Sequence, residues 1–209
     1  MPTSTPERAT LTRAPEAGVD YVAIIGDSYT SGSPIGGHGP HSWPALVAAK
    51  LKEQHIDMDP VVGAVGASGY VAPGHKRAGT FLDQVHRTVG TNDKLVVLFG
   101  SRNDATVPAD QLTPAVHTTL AKAKQMAPNA KFLVISPIWP DAHPSGGILQ
   151  ARDILRAEAA AIGATFVDPI AEAWFWDRPD LIGADGKHPT NDGHVYMADR
   201  IAPVMAQLL

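Results

Sequence analysis

The sequence predicts an α/β fold of three layers, α/β/α, around a central and mostly parallel sheet of five strands. Short apolar runs alternate along the chain with stretches of helical periodicity, the pattern of repeated strand–crossover–strand units. The four longer runs also lack the strict alternation of a half-exposed strand, as expected where helices cover both faces of the sheet. A length of 209 residues, 44% of them hydrophobic, suffices for one domain with a full core.

The elements follow in order. Residues 1–18 (MPTSTPERATLTRAPEAG) are rich in Thr, Pro and Ala, bury little, and are expected to form a mobile tail before a domain spanning residues 19–209. Val19–Ile25 reads as the first strand. Pro44–Glu53 reads as a helix with Leu46, Val47 and Leu51 on one side, and Pro60–Val65 as the second strand. Thr80–Val89 is a helix carrying Phe81, Leu82, Val85 and Val89. Lys94–Phe99, Lys131–Ile135 and Thr165–Val167 are the remaining strands, separated by helices over Pro108–Met126 and Gly147–Ile162. Asn191–Leu208 closes the chain as a helix, with Val195, Ala198, Ile201, Met205 and Leu208 at helical spacing. Thr190 or Asn191 is the expected cap of that helix, and Pro203 is expected to bend or interrupt it.

Composition excludes several classes of function. The net charge is −4 and no basic block is present, so neither nucleic acid nor an anionic membrane surface is an expected partner. There is no cysteine, which removes disulfides, CxxC redox chemistry, cysteine–zinc sites and a cysteine nucleophile. No apolar run approaches the length of a bilayer span, and the N-terminal stretch lacks the apolar core of a signal peptide. Its Thr/Pro/Ala composition suits the stalk of an exported or cell-envelope protein. The nine histidines include His38 and His41 in a glycine-rich loop and the pair His188 and His194, but no HExxH or carboxylate-rich cluster accompanies them. No metal and no cofactor are therefore expected. The segment Gly63–Gly69 (GAVGASG) is not GxGxxG, and no acidic residue follows at a strand end about 20 residues on, so a dinucleotide site is disfavoured.

In parallel α/β sheets ligands bind beyond the carboxyl ends of the strands. The first strand there runs into Gly26-Asp27-Ser28-Tyr29, with Ser28 at the mouth of the sheet. After the second strand, the backbone N–H of Gly69, or of Gly66, is available to a developing negative charge. The third strand ends in Gly100-Ser101-Arg102-Asn103-Asp104, where Asn103 offers two N–H groups without a charge. Before the last helix, Asp185 and His188 stand three apart, so the carboxylate can hold one imidazole nitrogen and leave the other outward as a base. Pro189 keeps His188 extended. Taken singly, each residue is an ordinary turn, capping or surface residue. In combination they give a hydroxyl, an N–H, an amide and an Asp-x-x-His in chain order.

These blocks resemble the SGNH, or GDSL, hydrolase superfamily. Gly26-Asp27-Ser28-Tyr29 stands for the GDSL signature with Tyr29 in place of Leu, and Ser28 matches the nucleophile. Ala64–Gly69 is similar to the second block, Gly69 best matching its oxyanion glycine, although Ala64 stands where many members carry Asn. Ser101-Arg102-Asn103-Asp104 is similar to the third block, with Ser101 in place of Gly. Asp185–Thr190 matches the fifth, supplying Asp and His. The resemblance implies a flavodoxin-like SGNH fold and a serine esterase or lipase acting on carboxylic acyl esters. Its catalytic residues would be Ser28, Asp185 and His188, and its oxyanion hole Ser28, Gly69 and Asn103. The alternatives are a carbohydrate O-acyltransferase or deacetylase with the same triad, or a catalytically silent domain that binds polysaccharide or lipid. The expected substrate is a small-molecule, glycan or lipid ester, and the expected state a monomer. Tyr29, Arg102, Trp139 and Trp176 are candidate substrate-binding residues, Asp27 and Asp104 loop-bracing acceptors, and Gly32–Pro40 a gate or a connector.

Overall fold

The computed structural model describes Ala14 and residues 16–209. Most of the expected tail lies outside the described residues. At its end the Ala14 carbonyl accepts a hydrogen bond of 2.7 Å from the Tyr21 hydroxyl.

Five strands form one wholly parallel sheet in the order β2-β1-β3-β4-β5. They are β1 (Val19–Gly26), β2 (Asp57–Val62), β3 (Leu95–Phe99), β4 (Lys131–Ile135) and β5 (Thr165–Val167). The helices are α1 (Ser28–Ser31), α2 (Trp43–Glu53), α3 (Phe81–Thr88), α4 (Ala109–Met126), α5 (Gly146–Ile162) and α6 (Asn191–Leu208). Alternate residues of each central strand feed two cores, which makes the three layers. Val22, Ile24, Leu95, Val97 and Phe99 pack against Trp43, Val47 and Leu51 of α2 and Met197, Ile201 and Met205 of α6. Ala23, Ile25, Val96 and Leu98 pack against α3, α4 and α5 through Phe81, Val85, Leu112, Leu120 and Leu155. Both faces of β3 and of Val22–Ile25 in β1 are thus dry, and their unbroken apolar runs follow from that burial.

Local chemistry sets the ends of the helices. Thr80 and Asp83 form a reciprocal capping box on α3, Ser145 caps α5, and Thr190 caps α6 by accepting from the Gly193 N–H. Gly163 ends α5 in a left-handed conformation at φ 73°.

Two expectations shift. The second strand covers Asp57–Val62 rather than Pro60–Val65. β2 is an edge strand with β1 as its single neighbour, so Pro60, opposite Val22, is tolerated inside it. Residues 63–65 leave regular strand geometry yet still follow β1, through Gly63 N–H to the Ile24 carbonyl (2.9 Å) and Val65 N–H to the Gly26 carbonyl (3.1 Å). Helix α6 runs through Pro203 without interruption. The carbonyl that the proline leaves unpaired belongs to Asp199, and both residues lie on the exposed face, open to solvent.

Candidate active site

The end of β1, the loop after β2, the turn after β3 and the loop before α6 meet at the carboxyl edge of the sheet. They surround a cavity of about 660 Å³ lined by Ser28, Gly66, Ala67, Asn103 and His188, among others.

Ser28 opens α1, so its N–H has no intrahelical acceptor. The buried Asp27 carboxylate caps this turn by accepting from the Tyr29 N–H at 2.9 Å. The turn fits tightly under the sheet edge: a Cβ on Gly26 would lie 2.3 Å from the Thr30 hydroxyl. Burial pushes the Asp27 carboxyl up to about 7, against the opposing hydrogen bond from Tyr29 and the charge of Arg102.

Ser28 Oγ stands 2.9 Å from His188 Nε2, and His188 Nδ1 stands 2.5 Å from Asp185 Oδ2. Asp185 Oδ1 also accepts the N–H groups of Lys187 and His188, each at 2.9 Å. Burial opposes the charge on Asp185, but the bonds from the His188 ring and these two N–H groups outweigh it and hold the carboxyl at about 2. An ionised carboxylate only accepts, so Nδ1 carries the proton and the Nε2 lone pair faces the Ser28 hydroxyl. The loop is fastened by Gly183 N–H to the His188 carbonyl (2.9 Å) and Thr190 N–H to the Leu181 carbonyl (2.8 Å).

The Asn103 amide reaches the same cavity from a single turn of 3₁₀-helix, Arg102–Asp104. Ser101 caps that turn by accepting the Asn103 N–H, while its own hydroxyl donates to the Ser68 carbonyl at 3.0 Å. The serine standing where the resemblance has glycine therefore stitches the third block to the second. Asn103 Nδ2 donates to the same Ser68 carbonyl at 2.8 Å and, at a longer 3.3 Å, to Asp27 Oδ2.

Gly69 is not at the cavity. It is buried, its N–H is consumed by the Ala72 carbonyl (2.9 Å), and its own carbonyl accepts from the Phe81 N–H (2.7 Å). A Cβ there would lie 2.3 Å from Asp104 Oδ2. Glycine is needed at this position so that the Asp104 carboxylate can accept the N–H groups of Tyr70, Val71 and Ala72. Burial raises the Asp104 carboxyl against those three bonds. Gly66, three residues earlier, does line the cavity, and among the described residues its N–H and that of Ala67 donate to no protein acceptor.

Of the candidate substrate-binding residues, Arg102 alone lines the cavity. Tyr29 is 3% exposed and packs in the core, where its hydroxyl donates to the Lys187 carbonyl and accepts from Arg102 Nη1 at 3.1 Å. Trp139 lies beneath Arg102, with the guanidinium carbon 4.8 Å from its ring centre. Trp176 is not among the lining residues. The loop at residues 32–40 contributes Gly32, Ser33, Pro34 and His38 to the lining. It is tied to α6 by Gly37 N–H to Asn191 Oδ1 (3.0 Å) and lies so close that a Cβ on Gly37 would be 2.0 Å from the His194 ring.

Sequence reasoning missed the buried support of the site. Gln84 accepts the Gly26 N–H at 3.0 Å and donates to Ser68 Oγ at 2.8 Å, which joins the Ser28 turn to the second loop. The available signal was an amide on the apolar face of α3 between Phe81 and Val85. His194 is 1% exposed, accepts the Trp43 N–H at 3.3 Å, and is driven down to about 4 by burial and then by the charges of His38 and His188. Among the described residues, no group of three His, Asp or Glu is arranged to hold a metal ion, and no helix is long and apolar enough to cross a membrane.

A model of the GDSL-like lipase/acylhydrolase family matches residues 24–196. GDSL lipase Rv0518 of Mycobacterium tuberculosis is 48% identical over 191 residues, which cover 90% of this chain and 82% of that protein. Among solved structures, TesA superposes with a TM-score of 0.73 at 20% identity, over 91% of this chain and all of its own. A lipase/acylhydrolase from Enterococcus faecalis superposes at 0.69 and 16% identity, over 90% of this chain and 96% of its own. A family two carbohydrate esterase from Clostridium thermocellum superposes at 0.70 and 15% identity, over 95% of this chain and 67% of its own. At these identities the three structures share the fold with this chain.

Proposed function

The chain belongs to the GDSL-like lipase/acylhydrolase family and is a carboxylic ester hydrolase, and from that premise we propose that it works through a serine ester on Ser28, with His188 as base and acid and Asp185 as its orienting partner. The observation that carries the proposal is the continuous chain from Ser28 Oγ to His188 Nε2 and from His188 Nδ1 to Asp185, made by segments 160 residues apart.

Ser28 Oγ attacks the acyl carbonyl carbon as its proton passes to His188 Nε2. The carbonyl π electrons move to oxygen, and the oxyanion meets the Ser28 N–H, the Gly66 N–H and the Asn103 amide. Asn103 frees a hydrogen for this by giving up its longer bond, the one to Asp27. The tetrahedral carbon then expels the alcohol oxygen, which takes the proton from Nε2. Water repeats the sequence on the serine ester and releases the acid. Asp185 stabilises the imidazolium without itself taking the proton, in keeping with its low carboxyl pKa of about 2.

The test is a fluorophosphonate label together with turnover of para-nitrophenyl esters. The label is expected on Ser28, and Ser28→Ala is expected to lose both label and turnover. Retained turnover in that variant would reject the serine-ester route. A series of esters from acetyl to palmitoyl then defines the acyl length.

A further inference from the structure

The cavity beside Ser28 has a charge pattern that ester chemistry alone does not require. The chain carries 21 Asp and Glu against 17 Lys and Arg. Even so, among the described residues no Asp or Glu lines the cavity, whereas Arg102, Lys187, His38 and His75 all do. Asp185 is occupied with the His188 ring and two backbone N–H groups.

The two permanent cations are not tied up elsewhere. Lys50, Arg152 and Arg178 each meet a carboxylate within 2.8 Å. Among the described residues Arg102 and Lys187 form no ion pair. Arg102 is nonetheless held in place. Its Nη1 donates to the buried Tyr29 hydroxyl, and its guanidinium lies over the Trp139 ring. A guanidinium fixed on one edge keeps its other N–H groups set for a planar anion and loses little further freedom when one binds. Lys187 adds a flexible charge next to His188, on the loop that carries the proton donor for the leaving group. Asp27 is the buried carboxylate that feels Arg102, and burial raises its carboxyl to about 7, so at neutral pH it offsets that charge incompletely.

We propose that the ester taken by this cavity carries an anionic substituent, a carboxylate, phosphate or sulfate, recognised by Arg102 and Lys187. The proposal rests on the Ser28 mechanism above and adds the substrate class. Apolar acyl esters are then surrogate substrates, turned over without the interaction that the site is charged to make.

The test uses matched pairs of esters on the full chain. Para-carboxyphenyl butyrate against para-carbamoylphenyl butyrate puts the charge on the alcohol. The para-nitrophenyl monoester of adipic acid against its terminal amide puts the charge on the acyl group. In at least one pair the charged ester is expected to have a kcat/KM about tenfold above its neutral counterpart, the size of one charge-assisted hydrogen bond in a half-open site. The pair that shows the preference locates the charge. The ratio is expected to shrink as salt is added and to approach one in Arg102→Gln and Lys187→Gln. Because each variant serves as its own reference, a general loss of activity cancels in the ratio. Ratios at or below one in both pairs, or a preference that survives both substitutions, overturn the inference while leaving the Ser28 mechanism intact. Absence of turnover on all four esters, with no label on Ser28, overturns the mechanism instead.

Discussion

Replacing Tyr29 by Phe removes one oxygen atom and asks what holds His188 opposite Ser28. The Tyr29 hydroxyl donates to the carbonyl of Lys187, one peptide before His188, and accepts from Arg102 Nη1 at 3.1 Å. It thus ties the residue after Ser28 to the residue before His188, across 158 positions of sequence. Phe keeps the ring in its contact with Phe99 and opens no cavity. Two hydrogen bonds are lost, but Lys187 is exposed and Arg102 half-buried, so water recovers part of each. The expected loss of stability is about 1–2 kcal/mol. For a chain of this length, each kcal/mol lowers Tm by about 2–4 °C. The catalytic effect has a different origin. The His188 loop retains its bonds at Gly183, Asp185 and Thr190, so it loosens without detaching. A displacement near 1 Å costs about a hundredfold, and the remaining fastenings should limit the loss to about tenfold. That loss is expected in kcat, with KM unchanged, because the tie orders the proton acceptor rather than the ester. The assay is steady-state hydrolysis of a neutral para-nitrophenyl ester, run well below the Tm of both proteins and paired with the fluorophosphonate labelling rate. A kcat within twofold of the parent, alongside the expected drop in Tm, would refute the positioning role and leave Tyr29 a packing residue.

Other perturbations have outcomes fixed by the same geometry. Asn103→Ala should lower kcat by about 10²–10³, the usual cost of one oxyanion donor, and a loss under tenfold in steady-state assays would remove the residue from the hole. Gly69→Ala drives a methyl to 2.3 Å from the Asp104 carboxylate, so urea unfolding should show a loss of about 1–3 kcal/mol, and an unchanged midpoint would mean that the loop is slack. His194 and Asp27 should oppose each other in the pH dependence of stability. The folded pKa of His194 falls from 6.5 to about 4, so its contribution is complete above 6.5 and lost as pH falls. That of Asp27 rises from 3.8 to about 7, so its contribution is complete below 3.8 and lost as pH climbs through 7. His194→Asn, which can keep an acceptor for the Trp43 N–H, removes the first slope. Relative to the parent, its unfolding free energy should fall with rising pH by a total of about 3 kcal/mol between pH 4 and 6.5, and parallel profiles would contradict the lowered pKa of His194.

Much of the fold was legible because burial on both faces leaves an unmistakable composition. Val22–Ile25 and Leu95–Phe99 are apolar without alternation since α2 and α6 cover one side and α3, α4 and α5 the other. The edge was harder to read. In Asp57–Val62 two of the three exposed residues are acidic, Pro60 argues against a strand, and the pairing that permits it lies in β1, some forty residues away. Pro203 left open a bend or an interruption, and the absence of an interruption has a related reason: whether a proline breaks a helix depends on whether the orphaned carbonyl can face water, and that is decided by tertiary packing.

The same distinction divides the site. Residue types at strand ends pointed to Ser28 and Asn103, and the Asp-x-x-His spacing before the last helix to Asp185 and His188, because each offers a side chain whose chemistry is readable from its letter. A backbone N–H has no letter. Gly66 and Gly69 present the same group, and the sequence favoured the latter by likeness to a motif. What separates them is prior commitment. The Gly69 N–H is spent on Ala72 in a turn organised by Asp104, a residue 35 positions on, whereas Gly66 lines the cavity and, among the described residues, its N–H has no acceptor. Tyr29 poses the same problem in a side chain. Its letter suggests an aromatic wall for substrate, yet its hydroxyl is engaged by Lys187 and Arg102, so it acts behind the site rather than within it. A donor serves an oxyanion only when it is unbonded or can release a long bond, as Asn103 would release its 3.3 Å bond to Asp27, so the chemistry of an oxyanion hole is fixed less by which donors are present than by how firmly the fold has already committed them.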